Sequence, residues 1–194
     1  MSGSAKTGLP AVGGGGLSGL AVVDDVFAPA LCRWLLGEAR RFYTEEGGFP
    51  DSNALWHPDL QRGEEPVRVH RLNERAAGIV CAFLREGGML EPGEANVLFH
   101  AWPVGSFIPW HRDGKHGGAA TVYLNERWEP EWGGLFLHRA SKGARPSVVV
   151  PRFNRGLRND SGIDHCTTPV LPGAPEPRFS LQVFRRRDAG AGGA

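Results

Sequence analysis

The sequence predicts a mainly β chain with helices in its N-terminal third, an α+β arrangement whose larger part is an antiparallel sandwich or barrel. Three observations predict it. From Glu94 onward the chain breaks into short runs, ANVLFHAW, SFIPWH, ATVYLN, GLFLHR, SVVVP, CTTPV and RFSLQVF, bounded by Gly, Pro and Asn, with no helical pattern between them. Before that point, two segments repeat their apolar residues at helical spacing. The composition is that of an ordinary globular domain, with 194 residues, 41% hydrophobic, 22% charged and a net charge of +1, so neither nucleic acid nor an acidic membrane is expected as partner.

In chain order, residues 1–19, with GGGG at 13–16, and residues 189–194 read as flexible tails around one domain at 20–188, its helical support at 20–93 and its β part at 94–187. AVVDDV at 21–26 reads as a short strand. Pro29 opens a helix whose Leu31, Trp34, Leu35 and Ala39 recur on one face and which stops near Arg40–Tyr43, before Gly47–Gly48. A second helix, about Asn73 to Arg85, carries Ala76, Ala77, Val80, Cys81 and Leu84 on one face and ends at Gly87–Gly88. No internal repeat is present.

The apolar runs are much shorter than the ~20 residues of a membrane-spanning helix, and the N-terminus lacks the charged-then-apolar order of a secretory signal. A soluble, cytoplasmic protein is expected. Cys32, Cys81 and Cys166 are odd in number and form no C-x-x-C pair, so neither a disulfide framework nor a zinc ribbon is indicated. Cys32 and Cys81 fall in helical patterns as core residues.

The chemistry concentrates in WHRDG. His111 and Asp113 are two apart, so in a strand they share a face and can bind one metal. His165, in DHCTTPV, is the candidate third ligand, and Cys166 beside it points to the opposite face. Two His and one carboxylate on one side of a metal leave the other positions open, the arrangement of non-haem Fe(II) oxygenases.

The set, in its order, resembles the 2-oxoglutarate/Fe(II)-dependent dioxygenases, prolyl 4-hydroxylase-like branch, from about Ala21 to Phe184. The resemblance rests on VVDDVFAPALCRWLL, GSFIPWHRD, ATVYLNERWEPEWGGLFL, VVVPRFNRG and HCTTPVLPGAPEPRFSLQVF, in sequence. It implies a double-stranded β-helix (a cupin-like jelly roll), iron on His111, Asp113 and His165, and 2-oxoglutarate with its far carboxylate on Arg178, aided by Ser180 on the same strand face. A guanidinium fork suits a carboxylate where Lys offers a point charge. It also implies hydroxylation by dioxygen coupled to decarboxylation of 2-oxoglutarate to succinate, with ascorbate as a candidate reductant. The carboxylate of Asp113 favours hydroxylation over halogenation and leaves desaturation, ring closure and epimerisation open.

Other residues have two readings each. Tyr123 either assists the 2-oxoglutarate carboxylate or is a structural core tyrosine, and His100 either contacts substrate or ligands or is a hydrogen-bonded core residue. Arg152 and Asn154 either hold the turn before the distal histidine or reach the substrate. Trp110, with Trp128 and Trp132, either walls the site or packs in the core. Arg62, Arg68, His70 and Arg71 lie in a loop-like stretch where the superfamily often builds a lid. GLRNDSGID, too polar for a buried strand, reads as a loop shaped by the substrate.

The functional reading is a hydroxylase of a small molecule, such as an amino acid, a carrier-tethered amino acid or a secondary metabolite. The alternatives are a hydroxylase of a protein or peptide side chain, and a non-catalytic cupin-like metal- or sugar-binding jelly roll in which Arg178 is incidental.

Overall fold

The structure, a computed structural model, describes residues 19–45, 65–114, 116–159 and 162–186. The two expected tails (apart from Gly19), the Gly47–Gly48 stop and Arg62 lie outside the described residues.

Among the described residues, ten strands and two α-helices follow in order: β1 (Leu20–Val23), α1 (Pro29–Thr44), β2 (Arg68–Arg71), α2 (Glu74–Glu86), β3 (Ala95–Trp102), β4 (Ile108–His111), β5 (His116–Tyr123), β6 (Phe136–Arg139), β7 (Ser147–Val149), β8 (Gly156–Asn159), β9 (Asp164–Thr167) and β10 (Arg178–Arg186). They build two antiparallel sheets, one in the order β1-β8-β5-β10-β3-β2 and one in the order β4-β9-β6-β7. Two antiparallel sheets with two helices are consistent with the expected jelly roll. Among the described residues no helix is long and apolar enough to cross a membrane.

Strand alternation assigns the two faces of the large sheet. Val97, Phe99 and Ala101 of β3, Ala120 and Val122 of β5, and Phe179, Leu181 and Val183 of β10 join Cys32, Leu35, Leu36, Ala39, Val80, Cys81 and Leu84 of the helices in one buried cluster. Each such leucine contributes roughly 1.5–3 kcal/mol by leaving water. The opposite face of the same strands is turned to the small sheet, and the site is built there.

Both helices have local reasons to start and stop. Asn73 caps α2 by accepting the Ala76 N–H at 2.9 Å. Its end is a Schellman turn, with Gly88 at φ 68 and the Met89 N–H on the Leu84 carbonyl at 2.7 Å. In α1, Pro29 takes the first turn, where no N–H is needed. Trp34 does not belong to the buried face: it is 54% exposed, and Cys32, Leu35, Leu36 and Ala39 are the buried residues of α1.

Two expectations are corrected. The stretch before α2 is not loop-like, because β2 pairs with β3 and joins the large sheet, as the expected strand β1 does through β8. Arg68, His70 and Arg71 therefore sit on an edge strand, with Arg71 on the Asn96 side chain at 2.7 Å and His70 stacked on Phe42 at 3.8 Å between ring centroids. The start of GLRNDSGID is not a loop either, since Gly156–Asn159 is β8, paired on both sides. Its polar side chains have partners: Arg158 donates to the Gly88 carbonyl at 3.1 Å, and Asn159 reaches the metal-ligand candidates.

Candidate metal and co-substrate site

β4 ends at His111, which is paired with His165 of β9, and Asp113 follows in the turn. The three side chains converge, each offering a ligand atom within 4.8 Å of the other two. His111 Nε2 lies 3.6 Å from Asp113 Oδ1, and His165 Nε2 lies 3.6 Å from Asp113 Oδ2. Each imidazole has Nδ1 at 2.9 Å from a carbonyl two residues before it, Pro109 for His111 and Ile163 for His165. A carbonyl only accepts, so Nδ1 carries the proton and donates it, which leaves the Nε2 lone pair facing the carboxylate. Phe136 stacks on His165 at 5.2 Å and 24°.

The two histidines shift oppositely. Burial pulls His111 down, but the Asp113 hydrogen bond and the Pro109 carbonyl outweigh it and raise its pKa. Burial also lowers His165, and there the charge of Asp113 does not compensate, with His111 adding repulsion. One carboxylate cannot hold two imidazolium ions side by side. Burial works to raise Asp113, yet the two histidines hold it below the usual carboxylate range. A carboxylate with two imidazole lone pairs is a donor set for a divalent cation of intermediate softness, and it fits iron.

β10 brings the second part of the site. Its inward residues are Arg178, Ser180, Gln182 and Phe184, and the register sets Arg178 beside Trp102, Ser180 between His100 and Tyr123, and Gln182 between Leu98 and Thr121. Arg178 is 2% exposed. Its guanidinium lies 4.4 Å from the Trp102 ring centroid and 5.4 Å from that of Tyr123, and it donates to the Gly134 carbonyl. It has no acidic partner among the described residues, and its Nε and Ser180 Oγ are buried without a hydrogen-bond partner there. Burial pulls Arg178 down to about 10 and pushes Tyr123 up to about 12. A buried guanidinium without an acid is costly unless a ligand carboxylate meets it.

The turn under Arg178 is shaped by Gly133 and Gly134, at φ 67 and 61. A Cβ on Gly133 would stand 2.1 Å from the Pro169 carbonyl oxygen, so no other residue fits there. Asn125 fixes the strand on either side of Arg178, donating to the Pro177 carbonyl at 3.0 Å and accepting the Phe179 N–H at 2.7 Å. Its amide also donates to Glu176, which pairs with Arg40 of α1.

The remaining candidates are placed as follows. His100 is fully buried in the row with Ser180, its ring 6.2 Å from Trp102 and 6.4 Å from Phe184, and burial lowers its pKa to about 3. Trp110 turns away from His111 to the guanidinium of Arg139, which is 4.0 Å from its ring and paired with Asp164. Trp128 is core, its Nε1 donating to the Gly133 carbonyl, and Trp132 packs edge-on against it. Asn154, at φ 61, has both ends of its amide on the backbone of Phe27, at 3.0 and 2.7 Å, so it holds the turn before α1. Arg152 lines a separate cleft of about 370 Å³ with Asp24, Asp25, Glu126, Arg127, Trp128 and Phe153. Cys166 is a free buried thiol.

Sequence reasoning missed Asn159, whose Nδ2 lies 3.4 Å from Asp113 Oδ2 and 3.3 Å from His165 Nδ1. The available signal was parity, because Asn159 stands two residues after the buried Leu157 and so shares its inward face.

Comparison with known proteins agrees with this geometry. Residues 97–186, from β3 to the end of β10, match the model of the 2OG-Fe(II) oxygenase superfamily. No curated protein matches the sequence. Among solved structures, a prolyl-4-hydroxylase of Pseudomonas putida superposes with a TM-score of 0.67 at 21% identity, covering 88% of this chain and 94% of that one. A prolyl hydroxylase of Trichoplax adhaerens, in complex with a hypoxia inducible factor oxygen degradation domain peptide fragment, gives 0.67 at 14%, covering 87% and 83%. HygX of Streptomyces hygroscopicus, with nickel and 2-oxoglutarate bound, gives 0.57 at 13%, covering 87% and 83%. At these identities the structural likenesses speak for the fold. The family match and the His-Asp-His set speak for Fe(II) and 2-oxoglutarate as cofactors.

Proposed function

From a chain that carries a 2OG-Fe(II) oxygenase match over residues 97–186, we propose a hydroxylase that acts on an unactivated C–H bond of a small molecule, with 2-oxoglutarate consumed to succinate. His111, Asp113 and His165 hold the iron through two Nε2 atoms and a carboxylate oxygen. Arg178 binds the far carboxylate of 2-oxoglutarate, and Ser180 Oγ adds a hydrogen bond. Iron, 2-oxoglutarate and dioxygen together supply the oxidant. The residues around them position and shield: Tyr123, Phe136 and Leu157 pack against each other on one side, and Trp102, Ile108 and Trp128 on the other, which keeps water from the reacting centre.

The observation that carries this reading is Arg178, a buried cation with no acid among the described residues, in the strand facing a three-ligand metal set. The incidental arginine of a sugar-binding jelly roll would have no reason to remain buried and uncompensated. A peptide side chain is the second reading for the substrate, favoured by the likeness in fold to two prolyl hydroxylases. Trp110 faces Arg139, Arg152 lines a separate cleft and Asn154 holds the backbone of Phe27, so this reading gives them no role at the metal, and His100, at 0% exposure, acts only through the co-substrate.

The test is oxygen consumption and succinate release with Fe(II), ascorbate and 2-oxoglutarate, followed by mass spectrometry of two panels, free or carrier-linked amino acids and proline-containing peptides. A gain of one oxygen atom in the first panel is the expected result. A gain in the second alone replaces the substrate class, and absence of both succinate and 2-oxoglutarate binding removes the oxygenase reading.

A further inference from the structure

We propose that Asn159 is a positioning residue of the metal site, holding one oxygen of Asp113 so that the carboxylate presents a single donor atom to the metal. The inference rests on the metal-site reading above and adds a residue to it.

The placement of Asn159 is rigid. Its backbone is paired on both sides, to Leu20 of β1 and to Ala119 of β5, so its side chain is carried by the middle of three strands. It is 5% exposed. The inward position two residues before it is Leu157, and a second apolar residue would extend that packing. An amide is present instead, with Nδ2 at 3.4 Å from Asp113 Oδ2 and 3.3 Å from His165 Nδ1, while Oδ1 is buried without a partner among the described residues.

The orientation of the amide follows from charge. Turned over, it would set a carbonyl oxygen against the carboxylate of Asp113. With Nδ2 inward, an N–H donates to that carboxylate, a charge-assisted bond that a neutral partner would not equal. The Nδ1 proton of His165 is directed to the Ile163 carbonyl, so Asp113 is the acceptor that Asn159 serves.

The consequence is a matter of denticity. A carboxylate free to rotate can offer both oxygens to a metal, and the second would occupy a position that the co-substrate or dioxygen needs. An oxygen engaged by Nδ2–H is a poorer ligand, which leaves three protein donors on one side of the metal. Partners of this kind orient the ligating group, and their loss typically lowers metal affinity by about 10- to 100-fold.

Co(II) tests this, since its visible absorption reports coordination number and its affinity can be titrated without turnover. In Asn159→Leu, which keeps the branching at Cγ and removes the donor, the metal-free unfolding midpoint should stay close to that of the wild type. Its Co(II) affinity should fall about 10- to 100-fold, and its spectrum should change toward higher coordination. Asn159→Ser, which keeps a donor, should recover part of both. Affinity and spectrum equal to the wild type in Asn159→Leu would overturn the proposal. Should Asn159→Leu not fold, the side-chain 1H–15N signals of Asn159 in the wild type decide. They should shift downfield on Zn(II) addition, and unshifted signals would overturn it. Failure of the wild type itself to bind Co(II) would instead sink the metal-site reading, and this inference with it.

Discussion

Arg178→Met separates a co-substrate anchor from a structural hub, because the two roles predict different stabilities without ligand. Burial pulls the Arg178 pKa from 12.5 to about 10, and at ~1.4 kcal/mol per pH unit the charged form costs the fold about 3 kcal/mol. That cost is fully present at neutral pH, below both values, and fades only above pH 10. Methionine removes it. Methionine also removes the donor to the Gly134 carbonyl, worth about 1–3 kcal/mol, and the contact with the Trp102 ring, worth about 0.5–2 kcal/mol. The terms largely cancel, so unfolding without ligand should move by no more than about 2 kcal/mol. In the presence of Ni(II), 2-oxoglutarate at 100 times its Kd should stabilise the wild type by about 2.7 kcal/mol, or roughly 5–10 °C for a domain of this size. Arg178→Met should show no such shift. The assay is thermal and urea unfolding with and without Ni(II) and 2-oxoglutarate. A loss of 3 kcal/mol or more without ligand, or a retained 2-oxoglutarate shift, would refute the reasoning.

Three further outcomes are expected. Asp113→Ala should abolish Ni(II) binding by calorimetry while the circular dichroism spectrum is kept, since its contacts are with the two ligand histidines and Asn159. His100, with its pKa lowered to about 3, stays neutral in the fold while the unfolded chain takes up a proton near pH 6.5. Its contribution is therefore complete above pH 6.5 and is lost as pH falls below it, by up to ~1.4 kcal/mol per pH unit. Urea midpoints of His100→Leu should accordingly be flatter than the wild type between pH 6.5 and 4, and parallel curves would contradict this. Asn154→Ala should cost about 3 kcal/mol, because two buried backbone groups of Phe27 lose their partners and alanine is strained at φ 61. Asn154→Gly should cost less, as glycine accepts the backbone angle.

What the sequence disclosed depended on how much of each element's environment was local. β3 coincides with ANVLFHAW because both of its faces are buried in the middle of the molecule, so the run is apolar and continuous. β2 was hidden: RVHR has a single fully buried residue, Val69, and edge pairing tolerates the arginines. β8 was hidden for a different reason, since Arg158 and Asn159 find partners on α2's terminal turn and at the metal ligands, which no window of sequence displays. The ligand pair His111 and Asp113 was legible because a spacing of two lets both side chains reach the same side at a strand's end. Asn159 was not, because its carboxylate partner is 46 residues away. Trp110 could have been placed by the same parity that found Asp113, as a neighbour of a ligand in a strand faces the other way.

Along β10, residues with opposite duties alternate one by one. Phe179, Leu181 and Val183 hold the helices, while Ser180, Gln182 and Phe184 lie on the opposite face, where Gln182 accepts from Thr121 at 2.6 Å and Phe184 lies against His116 at 4.6 Å. Substitutions at the second set leave the first untouched, so that face can vary under selection without putting foldability at risk. A combinatorial library confined to Gln182, Phe184 and Thr121 should yield mostly folded members. The same number of changes at Leu181, Val183 and Val122 should yield mostly insoluble ones.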